Sequence, residues 1–143
     1  MNVLGSMYIN ATALKAETTR LNTISANLAN IDTTRTPEGG PYRKKSVVFR
    51  SAPMNFEQSL EHSFNNQLQG VQVDKIVNSP EPLRKEYDPS HPDAGPEGYV
   101  EKPNIKLMEE VTDMKSAVHA YELNVTAIKT SQRMATQALK IGA

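Results

Sequence analysis

The chain has 143 residues, with 16 basic and 16 acidic side chains, a formal net charge of zero, no Cys and no Trp. The charge balance and the lack of a basic run argue against a nucleic-acid footprint, and the absence of Cys excludes a disulfide framework and thiolate chemistry. The length suits one domain or a small domain with extensions, and no apolar run approaches a membrane span, so membrane insertion is not expected.

Residues 3–31 contain no Pro and read as a helix. Leu4, Met7, Ala11, Leu14, Thr18, Leu21, Ser25 and Leu28 recur in alternating steps of three and four, the spacing of a single helix face. One seam position per heptad is long and apolar (Met7, Leu14, Leu21, Leu28) and the alternate one is small or polar, so the stripe is thin. Ile24 and Ile31 widen it near its end, where Asn27 and Asn30 supply side chains suited to helix termini and tight turns. The start, MNVLGSMYIN, has neither a basic segment nor a continuous apolar one, so a cleaved signal peptide is not expected.

The composition then changes. All nine prolines and most of the glycines lie between Pro37 and Pro103. A stretch this poor in apolar side chains struggles to offset its ordering entropy, roughly 1–2 kcal/mol per residue for the backbone. It should form short strands and turns that lean on something else. TPEGGPY (residues 36–42) is a turn, residues 42–49 read as a strand through Val47, Val48 and Phe49, and residues 71–78 as a second. Residues 83–87 are a weaker third strand, and residues 87–100 a structured turn anchored by Tyr99. In the stretch 51–70, Phe56, Leu60, Phe64 and Leu68 are spaced four apart, so it is either a short amphipathic helix or a mobile loop.

After Pro103 the pattern is the most regular in the chain. Leu107, Val111, Met114, Val118, Tyr121, Val125, Ile128, Ala135 and Leu139 follow a strict heptad in which only Gln132 is polar. A seven-residue repeat of this kind favours a coiled-coil partner on a helix roughly 50 Å long. Glu109, Glu110 and Asp113 come early and Lys129, Arg133 and Lys140 late, complementing the helix dipole, and Gly142 stands where a helix-ending Gly is expected. Met134, Ala138 and Ile141 lie beside this seam. Helices at both ends and turns between suggest that the two termini pair. Two helices cannot cover both stripes, and each buried Leu or Ile is worth about 1.5–3 kcal/mol, so the isolated chain should be marginal and the ordered form an oligomer or filament.

The fold class expected is mainly α: long N- and C-terminal helices forming a coiled coil, with a small irregular β-rich middle segment. The divisions fall at residues 1–33, 34–103 and 104–143. The expected assembly interface comprises Met7, Leu14, Leu21, Ile24, Asn27, Leu28 and Asn30 on the first helix, and Val111, Met114, Val118, Tyr121, Val125, Ile128, Met134 and Leu139 on the last. The asparagine amides either cap the helix or bridge to adjacent subunits.

These stretches also carry a family likeness. LNTISANLANIDTT (residues 21–34), followed by PYRKKSVVF (residues 41–49), resembles the N-terminal signature of bacterial flagellar rod and hook proteins. HPDAGPEGYVEKPNI (residues 91–105), EEVTDMKSAVHAYELNVTAIKT (residues 109–130) and ALKIG (residues 138–142) are similar to the C-terminal signature. Short length, YRKKSVVF and the HPDA–GYV–PNI turn together point to a proximal-rod member. The likeness covers nearly the whole chain except residues 51–70. It departs at Val118-His119-Ala120-Tyr121, where the family usually has an Arg before the Ala-Tyr pair. The resemblance implies a structural subunit of a helical, torque-transmitting rod in the flagellar basal body, within the cell envelope. It implies a coiled-coil inner layer completed by copies of the chain and by other rod proteins, with export-gate and MS-ring components at the rod base. It further implies export through the flagellar type III apparatus without a cleaved signal.

No residue constellation supports an enzyme, and no cofactor is expected. His62, His91 and His119 are not at metal-binding spacings; Asp88, Asp93 and Glu97 lack the Gly that a calcium loop requires; the Glu109–Glu110 pair at a helix start reads as dipole complement. The alternative from another class is a soluble coiled-coil adaptor or chaperone-like binding module.

Overall fold

The computed structural model describes residues 3–52 and 69–141. Helix α1 runs Val3–Ala29; strands β1 (Lys45–Ser51), β2 (Val71–Asn78), β3 (Arg84–Tyr87) and β4 (Tyr99–Lys102) follow; and helix α2, Leu107–Ile141, closes the chain. The helix-or-loop alternative for residues 51–70 falls mainly outside the described residues.

The two helices are antiparallel neighbours. The end of α1 meets the start of α2 through Asn27 and Glu110, and one turn further along α2 Asp113 faces Arg20 at 3.9 Å. Taking four more residues along each helix from that pair brings Ala16 and Ala117 to one level, and both are buried. Small side chains here let the backbones approach closely. With Asn27 beside Glu110, the 27 residues of α1 run out before the 35 of α2, and the last turns of α2 project past α1 by roughly 10 Å.

The line buried between the helices is not the predicted seam. On α1 it passes through Ala16, Thr23, Ile24 and Asn27, while Ala11, Thr18 and Ser25 of the predicted seam are exposed. On α2 it passes through Glu110 and Ala117, and the predicted stripe straddles its edge. Met114 and Ile128 turn partly inward. Leu107, Val111, Val118 and Val125, set about 60–100° round the helix from Glu110, turn to one flank. A seven-residue repeat reports that a stripe exists; which edge of a wide stripe is taken depends on what packs best. Here alanines and a polar cluster win the interior, and the larger side chains are left at the side.

The middle of the chain forms two antiparallel pairs, β1–β2, which lies against α1, and β3–β4, which does not. Strand β2 matches its expected span. Strand β1 begins at Lys45, three residues later than expected, because Tyr42, Lys44 and the Lys45 backbone are turned toward Asn27 and Glu110. The β1–β2 ladder is interrupted by a bulge between Val48 and Phe49. Gly70 brings the start of β2 onto α1: a Cβ there would stand 2.7 Å from Thr12 Oγ1, and that hydroxyl accepts from Val71 N at 3.1 Å. Strand β4 was not expected. It pairs Tyr87 with Tyr99 and Lys85 with Glu101, and the tyrosine rings meet edge to face at 5.2 Å. Gly98, at φ +77°, makes the turn back into it.

Among the described residues the buried apolar side chains are Ala16, Ile24, Val100, Pro103, Ile105 and Ala117. Two of the six are alanine. So thin a core among the described residues is a weak counterweight to the cost of ordering them.

Candidate assembly interface

The best-defined polar arrangement joins the head of the helix pair to the strands. Asn27 stands two residues before the end of α1, with its amide facing inward. Its Nδ2 donates to Lys45 O at 2.9 Å and to Glu110 Oε2 at 3.0 Å; its Oδ1 accepts from Lys45 N at 2.9 Å and from the Tyr42 hydroxyl at 3.1 Å. All four hydrogen-bonding positions of the amide are used. Glu110, 1 % exposed, lies with Oε1 2.8 Å from Lys44 Nζ. The hydrogen bond and charge of Glu110, with Glu109 and Asp113 behind it, outweigh burial and raise the Lys44 pKa. Burial, followed by the Glu110 charge, raises that of Tyr42. A second asparagine, Asn104, extends the joint: its Oδ1 accepts from Lys44 N and its Nδ2 donates to Ser79 Oγ.

Within the chain all hydrogen-bonding positions of the Asn27 amide are taken, the local alternative of the two expected for it, and Ile24 is buried. Asn30 is spent locally, donating to Ala26 O and accepting from Thr33 Oγ1. Glu110, read from the sequence as a helix-start charge, is a buried member of the joint; Glu109 keeps the surface role, paired with Lys106 at 2.8 Å. The Asn27–Glu110 contact spans 83 residues of sequence, and no local pattern announces it.

The remaining predicted positions form a different surface. Met7, Leu14, Leu21 and Leu28 are half-buried, as are Val111, Met114, Val125 and Ile128. Val118, Tyr121, Met134 and Leu139 are 41 %, 37 %, 42 % and 76 % exposed. On α1 the strands contact the side bearing Thr12, while the leucines lie toward the opposite side. The flanks of the two helices thus form one apolar strip that the β region does not cover. Leu123 and Met108, also well exposed, lie off this strip and were not singled out. Among the described residues there is no cluster of acidic, His or Cys side chains able to hold a metal ion, and no helix is long and apolar enough to cross a membrane.

Residues 7–35 match the family of flagella basal body rod proteins, and residues 97–141 match the C-terminal family of flagellar basal body rod FlgEFG proteins. Both matches fall largely on the helix pair and its joint, the framework of a flagellar rod structural subunit. Along 99 % of its length the chain is 41 % identical to the flagellar basal-body rod protein FlgC of Borreliella burgdorferi, covering 98 % of that protein. It is 39 % identical to the FlgC of Bacillus subtilis and 32 % identical to that of Salmonella typhimurium, in each case over 99 % of both chains. The chain belongs to the FlgC family of flagellar basal-body rod proteins.

Proposed function

We propose that this chain is a subunit of the proximal part of the flagellar rod, assembling helically with copies of itself and with other rod proteins into the shaft that carries torque from motor to hook. The observation that carries this reading is the uncovered apolar strip along both helices, from Leu14, Leu21 and Leu28 on α1 to Val111, Val118 and Val125 on α2. Side chains of this kind gain about 25 cal/mol for each Å² of apolar surface a neighbour covers. A neighbour presenting a similar strip would complete a coiled-coil layer. In this reading the rod base abuts export-gate and MS-ring components, and the chain leaves the cytoplasm through the flagellar export apparatus without signal cleavage.

The test is Val118→Asp in the motile organism. Val118 is exposed in the isolated subunit, so the variant should fold with unchanged helicity, yet it should fail to assemble and abolish motility. Normal motility with Val118→Asp would remove the support for the strip as an interface. The adaptor alternative predicts instead a discrete dimer of this chain with a defined client and no effect on the rod.

A further inference from the structure

The zero net charge conceals a lengthwise polarity. Residues 123–140 carry Lys129, Arg133 and Lys140 and no acidic side chain, and the first sixteen residues of the sequence carry Lys15 alone. Those four basic residues leave twelve basic against sixteen acidic in the rest of the chain. Lys129, Arg133 and Lys140 lie on one face of the end of α2, are exposed, and have no ion-pair partner among the described residues. Lys140 stands on the last turns of α2, the part that projects past α1.

At the other end of the molecule, a groove of about 570 Å³ opens between the turn at residues 36–41 and the β3–β4 turn. Its walls include Pro41, Asp93, Pro96, Glu97 and Glu101, and the hydrogen bond from Thr34 Oγ1 to Asp93 Oδ2, 2.8 Å, joins one wall to the other. Glu97 and Glu101 have no ion-pair partner among the described residues, and Lys85 is the single basic residue in the lining. Groove and basic end cannot meet within one copy, because the 35 residues of α2 separate them by roughly 50 Å.

We propose that the basic end of α2 in one copy seats in the acidic groove of a second copy, a head-to-tail contact that rests on the reading of the chain as an assembling subunit. The contact uses two different surfaces, so it leaves a free groove and a free helix end at the extremities and propagates as an open chain. The area is small and the pairing electrostatic, so the contact sets polarity and register while the apolar strip supplies most of the affinity.

Because the chain has no Cys, the contact can be trapped cleanly with Thr136→Cys and Pro96→Cys introduced into the same full-length chain. Oxidation at low salt should give a ladder of dimers, trimers and longer species. Ladder formation should fall at least tenfold in 1 M salt, where the screening length is about 3 Å, and on Arg133→Glu with Lys140→Glu. Cross-linking should return, as a dimer, when a copy with the reversed end and Thr136→Cys is offered a second copy with Glu97→Lys, Glu101→Lys and Pro96→Cys. A ladder insensitive to charge reversal, dimers alone, or no cross-link would each overturn the proposal. Val118→Asp separates the two readings. If association depends on Val118 while no ladder forms, the assembly role stands and the head-to-tail contact falls. If the ladder forms but Val118→Asp is without effect on association, the strip falls and the contact stands.

Discussion

Asn27, Lys44 and Glu110 show how one amide and one ion pair hold three parts of a chain whose apolar core is thin. Removing Lys44 leaves a nearly inaccessible carboxylate without its counter-charge, and Lys44→Met should cost about 3 kcal/mol, seen as a lowered urea midpoint. Lys44 holds its proton more tightly when folded than when unfolded, and so does Tyr42. Their contributions are therefore complete below the unfolded pKa values, about 10, and are lost as pH rises through the folded ones. Urea midpoints should hold to about pH 9 and drop steeply in the alkaline range above it, and in Lys44→Met that drop should be shallower. Little of this joint was legible beforehand. An asparagine near a helix end and a glutamate near a helix start are each common as surface caps, and only the fold reveals that these two meet.

At the scale of elements, the heptads located both helices because a long apolar period survives almost any packing arrangement. They did not locate the inner face, and two substitutions separate the inside from the flank. Ile24→Ala, on the buried line, should cost about 2–5 kcal/mol of subunit stability. Val118→Ala, on the exposed flank, should stay within about 0.5 kcal/mol in thermal unfolding of the dilute protein. Equal losses at the two sites would mean that the buried line has been placed on the wrong edge. The strands were partly legible. Val71, Val73 and Val77 alternate openly, whereas β4 is a four-residue strand sandwiched between Gly98 and Pro103 that exists through its pairing with β3. Gly98→Ala should undo that pairing locally. The left-handed backbone alone costs about 1–2 kcal/mol, and the new methyl would stand 2.9 Å from the Tyr87 ring. Amide exchange should quicken in β3 and β4 and leave both helices protected.

For the whole molecule, a thin interior beside a long apolar strip makes stability a property of the assembly as much as of the subunit. Anything that binds only the folded state raises its stability by mass action, so the unfolding temperature of the purified protein should climb with its own concentration. A midpoint that is flat over a hundredfold dilution would mark a self-sufficient monomer. The joint at Asn27 also governs how quickly the structure is reached. Its partners come from residues 27, 42–45 and 110, and the contact from Asn27 to Glu110 closes a loop of 83 residues. Entropy for closing a loop of that length is spent before α2 can contribute to packing, which places the docking of α2 among the late events of folding. A nascent chain ending before residue 110 already has α1 held to the strands, at Asn27 through Tyr42 and Lys45 and at Thr12 through Val71, and the two helices become a unit only when the last quarter of the sequence arrives.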